Sequence, residues 1–378
     1  MFAKLYFIRC SSVAEYVLVD REIIEKVLYQ LNTDTTIRTW YTMDHVIKDL
    51  VDQAKKTNLD GKFVSRDVLL KFLELDPNSE ECEYLGQAAR EIAKIMNGNK
   101  ARVGSSIGID LAPCTMNCRF CSLGAEWGLV DGTYVLTDDE MIGLIKDVHQ
   151  KGYLQFTIRT TEFFSIDMLC ELGTKIRSAV PGMYGLSANT GELTPEEAEK
   201  LYKAGFTGAY HTVRLGEGKD TPFDPEVRIT TMRSISNSPL MLSCGLDPIG
   251  VEHTNEQMVE KLELFRTLNP VSVCTMKRIN VKGTPFEGIP EVDDMRMSQI
   301  AAIVRIAGGG KWNVAIHPPI QKAMEWGANL VAVETGAVPR KNKHDFGKWS
   351  IFDQDTASEM FRKAGYEIAD WSYFKRKA

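Results

Sequence analysis

Ile107-Gly108-Ile109-Asp110-Leu111-Ala112-Pro113-Cys114-Thr115-Met116-Asn117-Cys118-Arg119-Phe120-Cys121 is the stretch whose reading decides the fold and the chemistry together. A β-type run, Ser106–Leu111, leads into a loop with three cysteines spaced C-x3-C-x2-C. Thiolates are soft ligands that select zinc or iron–sulfur centres. A structural zinc site needs four ligands, and the next candidates along the chain, His149 and Cys170, are far away in sequence. Three cysteines are enough to hold a [4Fe-4S] cluster by three irons, leaving the fourth iron open to another ligand.

Outward from this loop, β-type runs alternate with helical stripes. The expected strands are Ser106–Leu111, Gln155–Arg159, Gly182–Ala188, Gly208–Val213, Leu240–Leu246, Val271–Ile279, Trp312–His317 and Leu330–Glu334. Helical periodicity fills the intervals at Asp138–Gln150, Ser165–Ala179, Thr194–Ala204, Asn255–Leu268 and Asp294–Ala307. Eight such units favour an α/β fold of the closed (β/α)8, TIM-like kind, with the chemistry at the C-terminal ends of the strands. An open doubly wound sheet is the competing arrangement. Ahead of the barrel, residues 1–98 read as a mostly helical extension, with stripes at Glu22–Leu31, Asp44–Ala54, Ser65–Leu75 and Glu80–Met96. Residues 99–340 make the barrel, and 341–378 form a polar tail with one helix near Asp355–Ala364.

Composition narrows the class of function. The 378 residues are 44% hydrophobic and 25% charged, ordinary values for a globular chain. The net charge is −6, without the basic excess of a nucleic-acid binder. No apolar run is long enough to span a membrane, and the first residues lack a secretory h-region. A cytoplasmic location follows as the expectation. In that reducing compartment disulfides are rare, so the eight cysteines call for another explanation.

With Phe120 ahead of the last cysteine, the motif resembles that of the radical S-adenosylmethionine (SAM) enzymes. Asn280-Val-Lys-Gly283-Thr284-Pro285-Phe286-Glu-Gly288 and Gly327-Ala328-Asn329 are similar to segments of their biotin synthase branch, which includes methylornithine synthase and the [FeFe]-hydrogenase maturase. The resemblance covers about residues 65–340. It implies a [4Fe-4S] cluster on Cys114, Cys118 and Cys121 whose open iron binds SAM. It also implies a 5′-deoxyadenosyl radical, a small-molecule substrate, an electron donor such as ferredoxin or flavodoxin, and anaerobic or well-reduced surroundings. Phe120, Glu162, Ser187, Asn189, Arg214 and Glu217 fall at the SAM-contacting positions. Relatives place Gly-Gly-Glu or Ser-Gly-Glu where this chain has Thr160-Thr161-Glu162, so the carboxylate is kept and the glycines are not.

Biotin synthase holds a second cluster with three cysteines and an arginine. Of those positions only Cys244 matches; the others fall near Thr157, Ser187 and Ala315. Strand alternation points Cys244, Cys274 and His317 inward, where they are candidates for an auxiliary cluster or metal or for plain packing. Cys10, Cys82 and Cys170 read as structural. The same alternation turns Arg278 inward, and Arg278 and His317 are the expected catalytic residues beside a small zwitterion or acid. Asp247 and Glu334 stand near the mouth. The expected outcome is rearrangement or fragmentation in cofactor or amino-acid biosynthesis. The alternatives are sulfur insertion of the lipoyl synthase type and a non-catalytic metallocofactor scaffold.

Overall fold

The computed structural model describes residues 6–9, 16–19, 45–336 and 352–369. The chain divides into two units, Met1–Asp49 and Leu50–Ala378. In the first, β1 (Tyr6–Arg9) pairs antiparallel with β2 (Tyr16–Val19). This hairpin sits in a segment read as mostly helical, and its aromatic and β-branched residues explain it. The helix expected at Glu22–Leu31 and Cys10 both lie outside the described residues.

Helix α1 (His45–Leu59), α2 (Arg66–Leu73) and α3 (Glu80–Met96) precede the barrel. Ser79 caps α3 by accepting the Cys82 N–H at 3.1 Å. β3 (Lys100–Gly108) then begins six residues before the expected start at Ser106. Past Gly108 the chain leaves the barrel. β4 (Asp110–Leu111) pairs antiparallel with β5 (Tyr134–Val135), and the cysteine loop lies between them.

The remaining elements alternate: α4 (Asp138–Gln150), β6 (Gln155–Arg159), α5 (Ile166–Ala179), β7 (Gly185–Asn189), α6 (Pro195–Lys203), β8 (Gly208–Tyr210), α7 (Pro225–Ser236) and β9 (Met241–Ile249). They continue with α8 (Asn255–Leu268), β10 (Ser272–Lys277), α9 (Asp294–Ala307), β11 (Asn313–His317), α10 (Gln321–Glu325) and β12 (Leu330–Gly336). After the barrel come α11 (Gln354–Lys363) and β13 (Glu367–Ile368). Neighbouring barrel strands are all parallel, in the order β3, β6, β7, β8, β9, β10, β11, β12. β12 closes on β3 from Leu330 opposite Arg102 to Gly336 opposite Gly108, so the sheet is a closed (β/α)8 barrel. β13 extends the base of β3 at Lys100 and Ala101.

Local sequence explains why the helices start where they do. Thr137, Thr194 and Thr254 each form a capping box with the residue three positions on. The Gly-Ala-Asn segment serves closure. Gly327 has φ +104°, and a Cβ there would lie 2.8 Å from the Ala89 carbonyl oxygen. The Asn329 side chain accepts the Val314 N–H and donates to the Lys100 carbonyl, tying β11 and β12 to the start of β3. Arg305, buried on α9, donates to the Gly327 carbonyl and to Asn329 Oδ1. Among the described residues no helix is long and apolar enough to cross a membrane.

Candidate active site

The three cysteines stand in a loop held by backbone hydrogen bonds and apolar packing. The Cys114 N–H donates to the Leu123 carbonyl at 2.6 Å, and the Ala125 N–H returns to the Cys114 carbonyl at 3.0 Å. Asn117 sits in the left-handed region at φ +46°, with its side chain bonded to Glu126. Cys114 and Cys121 pack on an apolar pad of Leu111, Leu123 and Val130. From outside, the Arg119 N–H donates to the Asp220 carbonyl and its carbonyl accepts the Phe286 N–H, while its guanidinium lies 4.8 Å from the Phe286 ring centre. Gly283, in the same 280–288 segment, approaches Leu129 so closely that a Cβ would meet it at 2.7 Å.

The donor set fits an iron–sulfur cluster. Burial pushes the Cys118 thiol up to about 12; nearby Arg214 opposes this, and the charges of Cys121 and Cys114 add to it. A cationic centre is what such a buried sulfur trio needs in order to ionise. Among the described residues no group of three or more His, Cys, Asp or Glu gathers on a single metal ion, and a four-iron cluster spreads its ligands wider than one ion does.

Beside this loop, Arg228 of α7 is a buried hub that sequence reasoning missed. Its Nη1 lies 2.8 Å from Glu192, its Nη2 3.4 Å from Glu162 and its Nε 3.8 Å from Glu217. The guanidinium stacks 3.6 Å from the Phe223 ring centre. His211 Nε2 is 3.2 Å from Glu192, and burial lowers the imidazole pKa. Glu162 lies in the loop after β6, three residues past Arg159, with its charge felt by Cys114. The missing glycines have a local substitute. The Thr161 N–H donates to Asp110 at 2.7 Å and its hydroxyl binds the same carboxylate, so this loop is held by side chains. Gly191 lies against it, and a Cβ there would be 2.2 Å from the Glu162 carbonyl oxygen.

Arg214 and Glu217 come together rather than reaching separate groups. Glu217 is wholly buried, accepting the Arg214 N–H at 2.7 Å and the Thr221 hydroxyl at 2.6 Å. Arg214 Nη1 is buried and has no hydrogen-bond partner among the described residues; Glu217 Oε1 is 3.5 Å away. Phe120 is half-buried in the cysteine loop.

Ser187 and Asn189 on β7 line a cavity of about 110 Å³ inside the barrel. Cys244, Cys274 and His317 line it too, so the inward alternation holds for all three. They do not gather on one ion. His317 Nε2 faces Glu334 at 3.5 Å, and Glu334 takes the Arg159 guanidinium at 2.8 Å. Across the chamber the Tyr210 hydroxyl donates to Asp247 at 2.7 Å. Cys82 and Cys170 are buried in α3 and α5.

Arg278 departs from its expected place. Strand β10 ends at Lys277 and its pairing slips between Thr275 and Lys277, so the alternation breaks before it reaches residue 278. Met276 lines the cavity and Arg278 does not. Its guanidinium donates twice to Glu252 at 3.1 Å, once to the Pro290 carbonyl at 3.1 Å and once to Asn280.

No family model matches the chain. By sequence it is similar to biotin synthase of Anaplasma marginale (strain Florida), 24% identical over 221 residues that span 55% of this chain and 66% of that protein. It is also similar to biotin synthase of Bacillus velezensis, 23% identical over 84% of this chain and 97% of that protein. Among solved structures, methylornithine synthase superposes with a TM-score of 0.74 at 16% identity, covering 86% of this chain and all of that one. The [FeFe]-hydrogenase maturase of Carboxydothermus hydrogenoformans gives 0.70 at 15%, covering 94% and 84%.

Proposed function

We propose that this chain, a biotin synthase-like member of the radical SAM enzymes, holds a [4Fe-4S] cluster on Cys114, Cys118 and Cys121 and cleaves SAM to act on a small molecule inside the barrel. Bound there, the cluster supplies one electron for reductive cleavage of SAM to methionine and a hydrogen-abstracting 5′-deoxyadenosyl radical.

The observation that carries the reading is Arg214 Nη1, a buried cationic donor with no hydrogen-bond partner among the described residues, whose charge acts on Cys118. A guanidinium fork suits a carboxylate, and the carboxylate of SAM is the partner it lacks. Glu217 orients Arg214 from behind. Glu162, pinned by Arg228, presents a carboxylate to the SAM ammonium. Asn189 and Ser187 meet the ribose from β7, and Phe120 shields the cluster side. The barrel wall excludes water from the reacting carbon. A ferredoxin or flavodoxin is the electron donor this chemistry calls for.

Rearrangement or fragmentation is the favoured outcome. Thr157, Ser187 and Ala315, the positions near which a biotin synthase would place its other second-cluster ligands, line the cavity beside Cys244 without a thiol or guanidinium among them. Sulfur insertion is the second reading, favoured by the sequence likeness to biotin synthases and by the two cavity thiols, Cys244 and Cys274. Iron content after anaerobic reconstitution separates them. About four irons per chain supports one cluster, and about six to eight supports a second.

A further inference from the structure

TIM-type barrels ordinarily fill their interior with layers of Val, Ile and Leu. Beyond Ser187, assigned above to the ribose, hydroxyls from four other strands face the cavity: Ser106, Thr157, Ser243 and Ser272. Ser106, Thr157 and Ser243 are half-buried and open to the chamber, and Ser272 is buried; a ligand that displaces water from them without bonding them leaves hydroxyls unsatisfied, so the lining favours a ligand that hydrogen-bonds. The bonding capacity of the lining is only partly taken up. Ser106 Oγ accepts from Arg159 Nη1 at 3.0 Å, which leaves its own proton to be placed. Ser272 donates to Ser243 at 2.8 Å, and the Ser243 proton is left over in turn. Gln155 Oε1 at the same cavity is buried with no hydrogen-bond partner among the described residues.

Charge is balanced within the same walls. Among the described residues that line it there is no lysine or arginine. Glu334 and His317 face each other, and Arg159 holds Glu334. A ligand carboxylate or phosphate would find no free cation among the described lining residues, and a ligand ammonium would compete with Arg159 for Glu334.

We propose that the part of the substrate buried in this cavity is compact, uncharged and rich in hydroxyl or amide groups, bound by Thr157, Ser243, Ser272 and Gln155. This rests on the reading of the barrel as the substrate chamber, and it replaces the zwitterion or acid expected from the sequence. The space open to the centres of water-sized molecules is about 110 Å³, room for several waters and so for a compact polyol.

Alkylation of Cys274, whose side chain also lines the cavity, reports occupancy without requiring turnover. Anaerobically purified, cluster-loaded protein is treated with iodoacetamide, and the Cys274 peptide is quantified by mass spectrometry. The probes are erythritol, acetate, inorganic phosphate and methylammonium at equal concentration. Erythritol should slow Cys274 alkylation several-fold and leave Cys170 unchanged, while the charged probes leave both unchanged. In a Thr157→Val/Ser243→Ala variant with wild-type thermal stability, erythritol should no longer slow Cys274 alkylation; the single Thr157→Val variant serves if the double variant fails to fold. Protection by acetate, phosphate or methylammonium equal to that by erythritol, protection by none of the probes, or full protection in the variant would overturn the assignment. Formation of 5′-deoxyadenosine from SAM is scored separately, so failure of the radical reading leaves a different trace from failure of this one.

Discussion

The guanidinium of Arg228 lies 3.4 Å from the carboxylate of Glu162, joining α7 to the loop after β6. Glu192 and Glu217 share the same cation. One arginine thus holds three carboxylates in a wall beside the cysteine triad. The excess negative charge suits a ligand that carries an ammonium and a sulfonium.

Removing that cation should be severe. Arg228→Met leaves Glu217 wholly buried and Glu162 nearly so, with the central charge gone. Breaking a buried pair from one side costs about 3–5 kcal/mol. Urea unfolding should register a loss of that order, with Arg228→Lys recovering part of it; a loss below about 1 kcal/mol would mean that the wall stands on other contacts.

Much of this was legible in the sequence, and the boundary of legibility is physical. Helical periodicity placed the helices between the strands, and inward alternation put Cys244, Cys274 and His317 on the cavity wall. The Arg228 hub was not visible. Its partners lie 66, 36 and 11 residues away along the chain, and only the closure of the barrel brings them together. Arg278 was misplaced because alternation assumes an unbroken ladder, and β10 slips one residue before its end.

That slip makes Arg278 a brace for the β10–α9 loop. Its two hydrogen bonds to Glu252 are charge-assisted and largely shielded from water. A double-mutant cycle of Arg278→Met with Glu252→Gln should give a coupling of about 0.5–3 kcal/mol in thermal or urea unfolding. Strict additivity would contradict the brace.

Gly191 sets how closely β7 can approach the Glu162 loop. Its Cβ position is 2.2 Å from the Glu162 carbonyl oxygen, so Gly191→Ala must push that backbone away. Overpacking of this kind costs about 1–3 kcal/mol. Because Glu162 moves with the loop, the KM for SAM should rise roughly tenfold, since a charge-assisted hydrogen bond is worth about 1.5–3 kcal/mol. An unchanged KM would remove Glu162 from the SAM site.

Acid stability should depend on Glu192. Burial alone would raise its carboxyl pKa, but hydrogen bonds from His211 and Thr231 and the charge of Arg228 outweigh it and hold the group at about 2. The folded value lies below the ordinary 4.5. The stability Glu192 contributes is therefore complete above pH 4.5 and lost as pH falls toward 2. Glu192→Gln should be less stable than wild type at neutral pH, with the gap narrowing through that window in urea titrations. A gap constant from pH 6 to pH 3 would refute the assignment.

The central claim is that Cys114, Cys118 and Cys121 hold the cluster that cleaves SAM. Its most direct test is 5′-deoxyadenosine formation by anaerobically reconstituted protein with SAM and dithionite, compared with a Cys118→Ala variant that keeps its secondary structure. Wild-type protein should form 5′-deoxyadenosine and the Cys118→Ala variant none above background. Equal product from both, or none from an iron-loaded wild type, would contradict the claim.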